Sequence, residues 1–383
     1  MKRPLKLLWL CGVPFELEEH ALSGECVGAH ASWSWVMAHL PPPEGVELHI
    51  ACPAKNIRED RTVEYRGATF YLFPYLKGAV YLLYRVWMPG FRRVYDAVEP
   101  DWVHGWGVEA GYGYAANVLD PRRSSVEIQG ILADYLPHIR KNLRVRFALV
   151  NERQSLAMGK QFIAESAYSA REARKYTKGR VQVINQPLRE DFLQSPMAEA
   201  NGKQMIFLGS IEARKGIKDA VRAFAEAGAA DWKLVCVGSG GTAYVAEVQA
   251  LINELGVSDR VELCGTLNSA EVKEQLQCSS VFLLPTYMDT GPNALKEAMA
   301  MGLWPVCFDN SGPGELISRY GLGELAETGN IDALAHALRT ALAERPWEDW
   351  QYRTSCVERI RKDLSRETVW RELLIYYDEV IRS

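Results

Sequence analysis

Short apolar runs alternate with amphipathic stretches along most of the chain. Candidate strands in the first half are Leu5–Cys11, Val46–Ala51, Trp102–His104, Val126–Ile128, Phe162–Ala164 and Val181–Ile184. In the second half they are Met205–Leu208, Leu234–Val237, Val261–Cys264, Val281–Leu284 and Val306–Phe308. Helical spacing of apolar residues falls between them, as in Ala220–Ala227, Ala243–Leu255 and Ala270–Cys278. Strands that are apolar on both faces and alternate with helices predict parallel sheets covered on each side. The pattern runs twice, so we expect an α/β protein of two doubly wound, Rossmann-like domains facing across a cleft. The expected domains are residues 1–190 and 198–364, and the polar stretch Arg189–Gln204 reads as a hinge. The last stretch, 365–383, has Val369, Leu373, Tyr376, Tyr377 and Val380 on one stripe, and we expect it to pack back on the first domain.

Length and composition agree with this reading. A chain of 383 residues, 48% hydrophobic and 24% charged, exceeds one ordinary core and describes a soluble globular protein. No apolar run is long enough to span a bilayer. The basic, apolar start resembles a secretory leader, but Lys6 interrupts it, and it reads as a first buried strand. The eight cysteines form no CxxC pair and most lie in apolar runs, which predicts reduced core thiols in a cytoplasmic protein. The net charge of −4 is uneven. Residues 1–195 hold 25 Lys+Arg against 21 Asp+Glu, and the remainder holds 19 against 27. The basic half admits an anionic partner, a membrane surface or plain solvated faces. Its basic-aromatic stretches are "YRVWMPGFRRVY" and "HIRKNLRVRFALVNER". They raise three options: peripheral contact with an anionic membrane on the inner face of the plasma membrane, an anionic acceptor, or ordinary surface helices.

One segment concentrates chemistry. "PTYMDTGPNALKEAMAMGLWPV" follows the strand Val281–Leu284. Pro285 stops the strand, Asp289 to Gly291 form a turn, and Pro292 suits the first turn of a helix. The amides around Gly291 and Asn293 then point out of a helix N-terminus, a natural seat for phosphate. Glu297 is suited to accepting hydrogen bonds from sugar hydroxyls, and Asp289 can do the same for a second ring. In "FLGSIEARKG", Lys215 and Gly216 precede a helix, where an ammonium neutralises a diphosphate. "GSGGTA", Gly238 to Ala243, also fits a dinucleotide fingerprint, but it follows the second βα unit of its domain rather than the first.

These segments resemble the retaining glycosyltransferases of family 4, which have the glycosyltransferase-B fold. The resemblance rests on "GSIEARKG", "VCVGSGG", "LGVSDRVELCG" and "DTGPNALKEAMAMGLWPV", in order and at matching spacing. It is fainter in "VGAHASWSWVMAHL", "PDWVHGWG", "IQG" and "VINQPL". It implies that Lys215 contacts a donor diphosphate, Glu297 holds the donor ribose and Asp289 reaches the transferred sugar. It also implies donor contacts from Gly28, Gly209, Ser210, Arg214, Gly265, Thr266, Leu267, Thr290, Gly291, Asn293 and Ala294. On the acceptor side it implies His104, Gln129 and Gly130. Ser210, Asp289 and Gln129 depart from the family's arginine, glutamate and histidine.

The implied activity moves a hexose-type sugar from a nucleotide-sugar to a saccharide or lipid-linked saccharide acceptor with retention. No cofactor is implied, and no D-x-D pair is present to hold a divalent metal. The alternatives are a nucleotide-sugar epimerase or phosphorylase on the same fold, and a degenerate, non-catalytic binder of sugar nucleotides. No nucleic-acid partner is expected.

Overall fold

The computed structural model describes residues 3–12, 17, 35–139, 141–200 and 202–382. They form two compact units, 1–187 with 366–383, and 188–365.

The first unit holds a sheet of eight strands: β1 Leu5–Leu10, β2 Val46–Ala54, β3 Arg61–Tyr65, β4 Ala68–Pro74, β5 Trp102–Trp106, β6 Ser124–Ile128, β7 Gln161–Ala164 and β8 Arg180–Val183. Their order is β3-β4-β2-β1-β5-β6-β7-β8. All neighbours are parallel except β3 and β4, which form an antiparallel hairpin. Leu7 to Leu10 of β1 are fully buried, as a central strand covered on both faces requires. One face carries Trp9, Trp102 and Trp106 and is closed by the helix Arg366–Arg382 through Val369, Trp370, Leu373, Tyr376, Tyr377 and Val380. Trp9 stacks on Trp370 with ring centroids 5.6 Å apart. The indole N–H of Trp370 donates to the His39 carbonyl at 2.7 Å. The stripe read in the sequence is thus the seam that closes this core.

The second unit holds six parallel strands: β9 Gln204–Leu208, β10 Lys233–Val237, β11 Val261–Gly265, β12 Val281–Leu284, β13 Trp304–Phe308 and β14 Glu324–Ala326. Their order is β11-β10-β9-β12-β13-β14. Consecutive strands β9, β10 and β11 step one way from β9, and β12, β13 and β14 step the other way. The order therefore reverses between β9 and β12. Helices between the strands begin at designed stops, as in Asn268, which caps Ser269–Gln277 in a full capping box with Glu271.

The expected hinge is not a free linker. Glu190–Leu193 makes a helical turn, and Phe192 and Ala198 are buried in the second unit. The Ala198 amide donates to the Met301 carbonyl at 2.8 Å. Burial of Phe192 fastens a stretch whose polar composition reads as loose. Three strands escape the sequence pattern, β3 and β4 of the hairpin and the short β14.

Candidate functional site

In an open α/β sheet, the crevice for a ligand lies outside the carboxyl ends of the strands where their order reverses. In the second unit that point is the end of β9, at Gly209, and the end of β12, at Pro285. Of the predicted donor residues, Gly209, Ser210, Arg214, Lys215, Asp289 and Thr290 lie on the loops that leave these two strand ends.

The chain leaves β9 through Gly209 and Ser210 and makes a tight turn at Ala213–Lys215. Gly216 ends that turn at φ +71°, and a Cβ on it would lie 1.9 Å from the Pro285 carbonyl oxygen. Only glycine allows both the dihedral and the approach. The contact presses Arg214 and Lys215 against the loop after β12. Tyr287 donates its amide to the Arg214 carbonyl at 2.8 Å, and the Arg214 guanidinium donates to the Met288 carbonyl at 2.8 Å. The Lys215 ammonium donates to the Asp289 carboxylate.

The other side of the loop is held by the start of the helix Ser311–Tyr320. The Ser311 hydroxyl accepts from the Asp289 amide at 3.1 Å, and the Gly312 amide donates to the Asp289 carbonyl at 2.8 Å. Asn310 donates its side-chain amide to the Thr286 carbonyl. Asp289 is therefore fixed in backbone and side chain.

Helix Asn293–Ala300 opens one residue later than the sequence suggests, with Pro292 as the extended residue before it. The first intrahelical donors are the amides of Leu295 and Lys296, both to the Pro292 carbonyl. The amides of Asn293 and Ala294 have no acceptor among the described residues, as the first turn of a helix dictates. Glu297 is buried, at 6% exposure. Burial pushes its carboxyl up to about 8, with Arg189 pulling it down, Asp191 pushing it up and Lys296 pulling it down. Arg189 itself donates to Asp191 at 3.0 Å and to the Ser269 hydroxyl. Sequence reasoning missed Arg189 and Asp191 because they lie in the stretch taken for a hinge. No local signal ties them to Glu297.

The remaining donor-side residues fall at neighbouring strand ends. Gly265 closes β11 at φ +68°, and its carbonyl accepts from the Gly238 amide at 2.8 Å. Thr266 follows it exposed and Leu267 half-buried. Ser210 is exposed after β9, and Thr290 is buried in the loop after β12. Gly28 lies outside the described residues.

In the first unit the predicted residues separate. Gln129 and Gly130 stand just past the end of β6, half-buried. His104, expected at a strand end, is instead in the middle of β5 and fully buried. Its Nδ1 is 2.7 Å from the Tyr377 hydroxyl and its Nε2 is 3.4 Å from Glu127. Burial lowers its pKa to about 3, so the ring is neutral. It is a core histidine, enclosed because β5 is two residues longer than the pattern suggests. Glu152 from the helix Leu143–Met158 accepts from the amides of Leu132 and, at 3.2 Å, Ala133. Among the described residues no group of three or more His, Cys, Asp or Glu is placed to hold a metal ion.

Residues 189–363 match the family model described as Glycosyl transferases group 1. Over 99 residues the chain is 37% identical to the amylovoran biosynthesis glycosyltransferase AmsK of Erwinia amylovora, covering 24% of each chain. Each curated relative of this kind is matched over less than half of its own length. Among solved structures, sucrose-phosphate synthase from Thermosynechococcus elongatus superposes with a TM-score of 0.79 at 16% identity, covering 99% of both chains. Anabaena HepE, in complex with UDP and glucose, gives 0.70 at 15% identity, covering 98% of this chain and 99% of its own. The second unit is thus related to the group 1 glycosyl transferases, and the chain as a whole has the two-sheet glycosyltransferase-B fold.

Proposed function

We propose that the chain is a retaining, metal-independent glycosyltransferase that moves a hexose-type sugar from a nucleotide-sugar to a saccharide or lipid-linked saccharide acceptor. One observation carries the reading. Lys215 and Asp289 pair where the strand order of the second unit reverses, and the helix Asn293–Ala300, which carries Glu297, starts from the same loop. That set offers a cation and free amides for a diphosphate, and two acids for hydroxyl groups. The family match of the second unit supports the same reading, as does the activity for which its relatives are named.

In this reading Lys215 exchanges its bond to Asp289 for the donor diphosphate, and Glu297 takes the ribose hydroxyls. The released Asp289 meets the sugar. Gly209, Ser210 and Arg214 flank the phosphates, and Gly265, Thr266 and Leu267 flank the base. Gln129 and Gly130 are the acceptor candidates in the first unit. The C1–oxygen bond to the diphosphate breaks, and the acceptor oxygen bonds C1 on the same face. The acceptor proton passes to the leaving phosphate oxygen. The protein contributes charge stabilisation and positioning. The lack of a D-x-D pair supports catalysis without a divalent ion.

A thermal-shift screen against nucleoside diphosphates and their sugars tests the reading, because a ligand that binds only the folded state raises Tm. Stabilisation by one nucleoside diphosphate is expected. No stabilisation by any of them would overturn it. Anomeric configuration in the product then tests retention, and turnover in excess chelator tests independence from metal.

A further inference from the structure

Two stretches of the first unit, distant in sequence, share one solvent-facing patch. The turn Ala79–Leu82 packs on the helix Leu143–Met158, with the Tyr81 ring edge-on to Phe147 at 5.7 Å. Arg85 fastens the two, donating to the Gln154 side chain and to the Leu83 carbonyl at 2.9 Å. Around this contact Leu82 is 59% and Leu143 57% exposed, and Leu76, Tyr81 and Val150 are also exposed. Leu143, Phe147 and Val150 lie on one face of the helix by their spacing. A single exposed leucine needs no explanation, but a cluster of five large apolar side chains does.

The charge within the two stretches has one sign. Residues 76–95 and 135–151 contain four Lys+Arg each, eight in all, and no Asp or Glu. Lys77, Lys141, Arg144 and Arg146 are exposed and make no ion pair among the described residues. Arg92 and Arg93, further along, are paired with Asp96 and Asp60. The unneutralised cations are therefore the ones beside the apolar side chains.

We propose that this face docks on an anionic lipid bilayer, with the leucines and Tyr81 entering the headgroup region and the four free cations among lipid phosphates. The combination fits an interfacial seat: apolar side chains with a rim of long cations whose stems lie along apolar surface. A second copy of the chain is a poor occupant, because a two-fold contact would set cation against cation. A soluble polyanion would satisfy the charges and leave the leucines in water. The docking deepens the proposed function, on which it rests for its purpose: a lipid-linked acceptor is presented at such a surface. Among the described residues no helix is long and apolar enough to cross a membrane.

Flotation with phosphatidylcholine vesicles, with and without phosphatidylglycerol, tests the docking. We expect binding only to the anionic vesicles, falling as salt rises. Leu82→Ser with Leu143→Ser should abolish most of it. Lys141→Glu with Arg146→Glu should weaken it by roughly fivefold or more per cation removed. No flotation at low salt overturns the proposal, as does flotation indifferent to both pairs of substitutions. Retention on heparin without vesicle binding overturns it in favour of a soluble polyanion. A dimer that dissociates in the leucine variant without vesicle binding overturns it in favour of self-association. Stabilisation by nucleoside diphosphates is measured on the same proteins. If it persists while flotation fails, the docking falls and the transferase reading stands. If it is absent while flotation succeeds, the reverse holds.

Discussion

Lys215 and Asp289 stand 74 residues apart in sequence and form an ion pair, each about 15% exposed at the side chain. Both belong to the proposed donor site, so each occupies the group the other would offer to a ligand. Asp289 competes with a diphosphate for the same ammonium.

That competition gives opposite outcomes for the two partners. Asp289→Asn should tighten nucleoside diphosphate binding by up to about fivefold, since a part-exposed pair is worth about 1 kcal/mol. The same change should lower sugar transfer. Lys215→Ala should weaken the diphosphate by roughly tenfold or more, as loss of a charge-assisted bond implies. Calorimetric titration of each variant measures both effects.

Glu297 should make stability fall as pH rises from mildly acidic to about neutral. Its folded pKa is raised to about 8 from an ordinary value of 4.5, chiefly by burial. The protonated form is thus favoured by folding. Its contribution is fully present below the ordinary value and is lost as pH rises through about 8. Tm should drop between about pH 5 and pH 8, by roughly 2–4 °C for each kcal/mol lost. Glu297→Gln should flatten that slope. An equal slope in the variant would show that another group titrates.

Glu152 holds the segment after β6 by accepting from two amides. Glu152→Ala leaves both without an acceptor and should cost about 1–3 kcal/mol in denaturant unfolding. Glu152→Gln retains an acceptor oxygen and should cost much less. Hydrogen exchange at Leu132 and Ala133 should quicken only in the alanine variant.

Trp370→Ala should cost about 3–5 kcal/mol, the usual range for a fully buried aromatic. It removes the stacking on Trp9 and the bond to the His39 carbonyl. Loss of near-ultraviolet dichroism and an earlier denaturation midpoint would report it.

Much of the fold was legible because parallel strands buried on both faces read as plain apolar runs. β1, β9 and β12 appear in the sequence almost at their true bounds. The β3–β4 hairpin did not, because Arg66 and Gly67 make its turn, both at positive φ. Arginine is not the residue such a turn advertises. His104 was misplaced because two more residues, Gly105 and Trp106, continue its strand past the apparent end. Around the donor site, the turn, the helix start and Glu297 follow from local pattern. The bond between Lys215 and Asp289 does not, and neither does the placement of Arg189 and Asp191 beside Glu297. Those are long-range relations that no spacing encodes.

The first unit is assembled from both ends of the chain, with the second unit inserted between Pro187 and Arg366. During synthesis, residues 188–365 are all made before Arg366–Arg382. The inserted half therefore has every strand it needs while the other still lacks the helix that seals Trp9 and Trp106. Until that helix is made, the nascent first half carries an open aromatic surface. It also means that a protease cutting once between the units would leave them joined by the second crossing.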